Sequence, residues 1–324
     1  MILSPRHILI FLTHILIVSA FWPGGEWIMA EQQDVSPFTI AIVQPRGVEA
    51  YQEAVEGFLH GLRRRVSQRF YTVIYESPER LYSTLKQKSL SQTPSDIRLI
   101  VTIGTKATSE VARQIDDIPI LFSMVLNPER VLPDRSNIVG ASLNISFSLQ
   151  LEMISKVLPT ARTVGIIYDP AQQGDFLIEQ LSQHEQFGLR IKPFPVISPK
   201  EIPAALSQVG KEADVLLGIV DSTVYTPRAT ASIIRYTIKH ELPFVGISAS
   251  YVKAGALCAL LFHSRDIGLQ TAQLAEKILT GTPPAQLQNT VPEKIQLSLN
   301  LRTAALLNVT IPKQIQEKAA ILYE

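Results

Sequence analysis

Phe38-Thr-Ile-Ala-Ile-Val-Gln44, then Pro45-Arg46-Gly47, then Ala50, Ala54, Val55, Phe58 and Leu62, is the stretch on which the architecture turns. Its first seven residues form a short, nearly continuous apolar run rich in β-branched side chains, the pattern of a strand covered on both faces. Pro45 and Gly47 punctuate it as a turn. The apolar residues that follow recur three and four apart, the spacing of a helix with one buried stripe, and the pattern ends on Arg63-Arg64-Arg65, a basic end that complements the helix dipole. A buried strand followed by an amphipathic helix is the unit from which parallel sheets are built.

The unit repeats along the chain. Further strands are predicted at Tyr71 to Glu76, Ile97 to Ile103, Ile118 to Phe122, Ile138 to Ser142, Thr163 to Tyr168, Leu189 to Val196, Val215 to Val220, Phe244 to Ile247, Ala256 to Phe262 and Ile295 to Leu299. Two series emerge, one from 38 to about 143 and one from about 163 to 262, with Leu158-Pro159 marking the restart. At about 150 residues per domain, 324 residues accommodate two such units. The expected fold is α/β: two similar Rossmann-like lobes with parallel sheets and helices on both faces. No low-complexity tract separates them, so a short hinge near Ala141 to Asn144 is expected, with Ser142 and Asn144 as hinge residues.

Lys plus Arg number 30 and Asp plus Glu 29, a formal net charge of +1, which leaves no electrostatic footprint for nucleic acid. Charged residues make up 18%, against about 25% in ordinary soluble domains. Part of the apolar excess lies at the N-terminus, where Arg6 and His7 precede a run from Ile8 to Phe21. A positive start, an apolar stretch and small residues at Val18-Ser19-Ala20 or Met29-Ala30 make a secretory signal peptide over residues 1–30, with an uncleaved membrane anchor as the alternative. Cys258 is the single cysteine. It excludes an intramolecular disulfide, and with no cysteine near the leader a lipoprotein is not expected. Within Ala256-Leu-Cys-Ala-Leu-Leu-Phe262 it reads as a small buried hydrophobe.

In open parallel sheets, ligands sit beyond the C-terminal ends of the strands, where loops and helix N-termini converge. The residues at those positions are Gln44, then Gly104-Thr105-Lys106, Ser123 to Asn127-Pro128, Tyr168-Asp169-Pro170, Asp221-Ser222-Thr223 and Ser248-Ala249-Ser250-Tyr251. Thr105, Ser222 and Thr223 also precede helical pattern and have helix capping as an alternative role. Other chemistries fail on spacing. Gly246-Ile-Ser-Ala-Ser250 resembles a nucleophile elbow but ends on serine where that turn takes glycine. His7, His14, His60, His184, His240 and His263 are too scattered for a zinc site, and neither nucleotide-binding glycine fingerprint is present. No cofactor and no metal are expected.

Several segments, in order, resemble the ABC transporter substrate-binding protein family whose characterised members include tryptophan and tyrosine/phenylalanine binders. They are Ile118-Pro-Ile-Leu-Phe-Ser-Met-Val-Leu-Asn-Pro128, Asn137-Ile-Val-Gly140, Val164-Gly-Ile-Ile-Tyr-Asp-Pro170, Asp221-Ser-Thr-Val224 and Tyr251-Val-Lys-Ala-Gly-Ala256. Asp266-Ile-Gly268, Pro283-Pro-Ala285 and Leu299-Asn-Leu301 extend the resemblance over about 38 to 315. It implies a periplasmic-binding-protein fold of type I, two lobes joined by a three-crossover hinge. By analogy the N-lobe is 38–143 plus 263–285 and the C-lobe 144–262 plus 286–324. Amino-acid-binding members commonly carry Thr-Pro after the third strand, Asp-Pro after the fourth and His-Pro after the first. This chain has Gly104-Thr105-Lys106, Asn127-Pro128 and Pro45-Arg46-Gly47 there. The amide in place of a carboxylate and the added lysine point toward anionic or uncharged ligands.

The function so implied is that of an exported, periplasmic solute-binding protein, a monomer and not an enzyme, which gives a small polar, amino-acid-like solute to an ABC permease in the inner membrane. The expected ligand-binding residues are Gln44, Thr105, Lys106, Ser123, Asn127, Tyr168, Asp221, Ser222, Thr223, Ser248, Ser250 and Tyr251. For an amino-acid-like ligand, Asp221 would pair with the ammonium, Thr105 would take the carboxylate, and Tyr168 and Tyr251 would supply flat walls. The alternatives are a ligand-sensing module feeding a membrane receptor kinase and, third, a hydrolase using Ser248.

Overall fold

Even-numbered and odd-numbered residues of the first strand part company. In a computed structural model that describes residues 38–67, 69–87, 97–174 and 187–324, strand β1 (Phe38–Val43) is buried on both faces. Phe38, Ile40 and Ile42 enter one core while Ala41 and Val43 enter another, as the period of two along a strand requires. The expected leader, residues 1–30, lies outside the described residues.

The first lobe continues with α1 (Glu49–Arg65), β2 (Phe70–Tyr75), α2 (Pro78–Gln87), β3 (Ile97–Ile103), α3 (Thr105–Gln114), β4 (Ile120–Val125), α4 (Pro128–Val131) and β5 (Ile138–Ser142). Its sheet is parallel throughout, in the order β2-β1-β3-β4-β5. Leu81 of α2 and Ala107, Val111 and Ala112 of α3 cover one face. On the other face Ala54, Phe58 and Leu62 of α1 pack with Ile267, Ala272 and Ala275, which arrive from a helix more than two hundred residues later in the chain.

The second lobe runs through α5 (Phe147–Val157), β6 (Thr163–Tyr168), β7 (Arg190–Pro195), α6 (Ile202–Glu212), β8 (Val215–Leu217), α7 (Pro227–Lys239), β9 (Phe244–Val245), α8 (Ala249–Ala254) and β10 (Cys258–Leu261). The chain then returns to the first lobe as α9 (Ser264–Leu279) and comes back as β11 (Gln296–Asn300), α10 (Leu301–Leu306), α11 (Lys313–Lys318) and β12 (Ile321–Tyr323). This sheet has the order β12-β11-β10-β9-β8-β6-β7, parallel except where β10 meets β11. Residues Pro37–Glu324 form one compact unit.

Strands β3, β5 and β6 have the bounds the apolar runs predict. β8 is shorter than its run: pairing stops where Gly218 N–H donates to Val245 O at 2.9 Å, and Ile219 and Val220 leave the sheet for the space between the lobes. The return helix α9 meets α1 through glycines. A Cβ on Gly268 would stand 1.9 Å from Ala54 O, and one on Gly57 would stand 2.1 Å from Arg265 O. Only hydrogen fits there, so the two helices touch backbone to backbone. Near its end the excursion runs beside β5, where Ser142 N–H donates to Thr290 O at 2.8 Å and Thr290 N–H to Gly140 O at 2.9 Å.

Candidate functional site

Among the described residues, three connections cross between the lobes. The first runs from Ser142 to Ser146, the second through Phe262 and His263, and the third follows Thr290. Gln270 of α9, 5% exposed, braces the third: its Nε2 donates to Val291 O at 2.9 Å and its Oε1 accepts from Glu293 N–H at 3.2 Å.

A cavity of about 300 Å³ lies between the lobes beside the crossings, at the carboxyl ends of β4, β5, β8, β9 and β10. The volume is at the small end of the range for sites that hold a small molecule. From the first lobe it takes Leu126, Asn127 and Glu129, and from the first crossing Leu143, Asn144 and Ile145. Helix α5 contributes Phe147, Gln150 and Met153, one helical face at three-residue steps. Ile219, Val220, Ile247, Leu260 and Phe262 close the second-lobe side, joined by Gln173. The arrangement is an apolar body with a few amides and one carboxylate, Glu129. No Lys, Arg or His is among these lining residues.

The first-lobe side of the cavity is built under backbone strain. Met124 and Asn127 both hold positive φ, 61° and 46°, and the pairing of β4 with β5 slips between Ser123 and Val125. Asn tolerates the left-handed region better than most residues, which fits Asn127 to its position. Its backbone N–H donates to Asn144 Oδ1 at 2.9 Å, so the β4 loop is tied to the first crossing. Asn144 N–H donates to Ser142 Oγ at 3.3 Å.

On the second-lobe side the polar residues bind one another. Asp221, 3% exposed, accepts from Thr223 N–H at 2.9 Å and Val224 N–H at 3.0 Å through Oδ1, and from Asp169 N–H at 2.8 Å through Oδ2. Asp169 accepts from Thr223 Oγ1 at 2.7 Å and Ala171 N–H at 2.9 Å. The Thr223 hydroxyl first, then the Ala171 N–H, hold the Asp169 carboxyl below the usual carboxylate range. Gln172 Oε1 accepts from Ser222 N–H and Oγ at 3.0 and 2.9 Å, and Gln173 Nε2 donates to Val220 O at 2.6 Å. Arg130 of α4 reaches across to the Gln172 carbonyl, a contact between the two lobes.

Of the residues nominated from sequence, Asn127 lines the cavity, as does Asn144 of the nominated hinge pair. The others stand at their strand ends with different occupations. Ser123 is fully buried, its hydroxyl 2.8 Å from that of Thr271, where it fastens α9 to the sheet. Thr105 is the first residue of α3, whose cap is Gly104. The Lys106 side chain is 87% exposed, and its Nζ lies 4.0 Å from Glu110. Gln44 extends β1 by donating its N–H to Tyr75 O, and Tyr168 is the last, half-buried residue of β6. Asp221, Ser222 and Thr223 belong to the network just described. The Ser248 and Ser250 hydroxyls lie 2.8 Å apart, while Tyr251 bonds to Thr230 and packs against Phe244 and Tyr225. The lining residues that the loop argument missed are Glu129, Gln150, Gln173 and the apolar walls. Phe147, Gln150 and Met153 carried a signal, since they fall on one face of a helix opening directly from the hinge.

Known proteins share this architecture. A tyrosine-binding protein of Clostridioides difficile (strain R20291) is 20% identical over 219 residues, 65% of this chain and 63% of that protein, so the match spans less than two thirds of the relative. The ligand-free, open structure of a substrate binding protein with adhesive properties from Clostridium difficile superposes with a TM-score of 0.68 at 20% identity, covering 88% of this chain and 99% of that one. The ABC domain in complex with L-Trp from Streptococcus pneumonia gives 0.57 at 20% identity over 87% and 99%. These likenesses establish the two-lobed fold of periplasmic binding proteins of type I. Residues 39–322 match the family described as ABC transporter substrate binding protein, and the chain belongs to that family.

Proposed function

We propose that this protein is the exported solute-binding component of an ABC importer, which holds a small amino-acid-like solute between its lobes and hands it to a permease in the inner membrane. The observation that carries the reading is the cavity itself. It sits beside the crossings, takes walls from both lobes, and combines an apolar body with amides from Asn127, Asn144, Gln150 and Gln173. A solute seated there touches both lobes at once, so it binds the closed arrangement better than any open one and draws the equilibrium toward closure. A tyrosine-binding relative and a tryptophan-bound structural neighbour support an amino acid with an aromatic side chain.

In this reading the N-lobe is 38–143 plus 263–285 and the C-lobe 144–262 plus 286–324. The bonds of Thr290 to Gly140 and Ser142 favour moving the third crossing beyond residue 290. Ser142 and Asn144 act as hinge residues. The protein works as a periplasmic monomer, delivered by residues 1–30, and performs no chemistry on its ligand. The polar contacts are assigned to Asn127, Glu129 and the amide groups that Asn144, Gln150 and Gln173 keep free after bonding Asn127 N–H, Ile145 O and Val220 O. Asp221 is assigned to building the rim, because its carboxylate already accepts three backbone N–H groups.

Isothermal titration of the purified protein with L-tyrosine and L-tryptophan tests this. A Kd of about 1 µM, near −8.2 kcal/mol, is expected for at least one of them. Gln173→Ala should weaken it about tenfold, as loss of one hydrogen bond worth about 1.4 kcal/mol does. No heat with either amino acid, together with no small molecule retained in native mass spectrometry, would overturn the proposal.

A further inference from the structure

The ligand cavity has a neighbour with which it shares a wall. A second space of about 300 Å³ lies on the other flank of α5, lined by Leu149, Lys156 and Val157 of that helix, Leu297 of β11 and Ile315 of α11. Met153 and Leu260 line both spaces. The helix geometry explains why. Phe147, Gln150 and Met153 share the face turned to the cleft, whereas Leu149, Glu152, Met153 and Lys156 share the face turned away, and Met153 sits on the seam. Leu260 meets it from β10. The two side chains are 6% and 9% exposed, so both are buried where the spaces meet.

Met153 alone would be a poor wall, because an unbranched thioether side chain adapts readily. Here it is held. Cys258 lies two residues before Leu260 on β10, hence on the same face, and its S–H donates to Met153 Sδ at 3.6 Å. The cysteine is fully buried. Its position gives the single thiol of the chain a task that requires no reactivity.

We propose that Met153 and Leu260 form the floor of the ligand site and set the length of the apolar side chain that the ligand carries, excluding amino acids whose side chains would reach into the second space. The inference rests on the amino-acid reading above and names the residues that limit it. Removing either side chain joins the cleft to the second space, whose walls are mainly apolar with Glu152, Lys156, Gln296 and Lys318 among them, and each methylene a ligand then buries against the apolar part is worth about 0.8 kcal/mol, or about fourfold in affinity.

The test is a titration series with L-tyrosine and its O-methyl, O-ethyl and O-propyl ethers against the wild-type protein, Met153→Ala and Leu260→Ala, with Met153→Val as a milder replacement for a variant that does not fold. Wild-type affinity should fall along the series. In the variants it should hold or rise, by up to about fourfold per added methylene. Parallel series in wild type and in folded variants would overturn the proposal. If L-tyrosine fails to bind the wild type, the floor is judged without it, by xenon-pressurised crystals of wild type and Met153→Ala, and the amino-acid reading falls only if L-tryptophan fails as well. A xenon site where the thioether stood, joining the two spaces, supports the floor; separate spaces in both proteins refute it.

Discussion

The two sides of the cleft are built on opposite principles. Beyond β6 and β8, Asp169, Asp221, Thr223 and Gln172 consume one another's hydrogen-bonding capacity, and the rim they form is complete without a ligand. Beyond β4, the loop departs from ordinary backbone geometry at Met124 and Asn127 and is tied to the hinge by Asn127 N–H on Asn144 Oδ1 and Leu143 N–H on Val125 O. One side is a finished shelf; the other is a strained loop that spends less of its polar capacity on itself. A buried polar group already satisfied gains little from a ligand, whereas strained backbone concentrates where binding or switching occurs. The difference teaches that a polar residue at the correct strand end is a binding candidate only after its existing partners have been counted.

Variants can break this contrast. The largest effect belongs to Asp221→Ala, which strands the N–H groups of Asp169, Thr223 and Val224 in a buried turn and should cost about 3 kcal/mol in urea denaturation. Unchanged stability with abolished binding would return Asp221 to the ligand and dissolve the distinction. A smaller loss is expected for Thr223→Val, and it should depend on pH. The folded Asp169 carboxyl titrates below its unfolded value, so its stabilisation is fully present above about pH 4 and disappears as pH falls through the lower folded value. Thermal melts from pH 6 down to pH 2 should therefore show wild type and Thr223→Val converging at the acid end; a constant gap would mean that the hydroxyl acts by packing alone. The smallest stability effect sharpens the other side of the comparison. Glycine accepts the left-handed backbone of residue 127 but loses more entropy, so Asn127→Gly should stay within about 0.5 kcal/mol of wild type. Its calorimetric affinity for the solute should nevertheless fall about tenfold through loss of the side-chain amide.

The parallel strands were readable because a strand covered on both faces leaves a run such as Ile97 to Ile103 or Thr163 to Tyr168, with little competing interpretation. The three residues of β12 left no such run, and their strand exists because they pair with β11. The apolar run after Val215 was read too long because strand and cleft wall use the same residue types, and only tertiary geometry parts Leu217 from Ile219. The place of the cavity was legible in outline, since the strand ends surround it. The partners of the individual residues were not, since hydroxyls and carboxylates that cap their own loops have the same composition as those that greet a ligand. Ser123 and Asp221 illustrate the point, one fastening α9 and the other folding a turn. Gln150 and Gln173 escaped the list of lining residues because they sit on helical segments instead of directly after strands, and Met153 and Leu260, the floor we propose, are composed like any other core.

The glycine contact between α1 and α9 also dictates a timetable. During synthesis the first lobe acquires all five of its strands by residue 142, yet the helix that completes its core ends at Leu279, after most of the second lobe has been made. Until then Phe58 and its neighbours lack the partners that cover them. The lobe that is translated first therefore cannot finish early, and since β11 and β12 of the second lobe follow α9, the two halves reach their final form almost together, within the final stretch of translation.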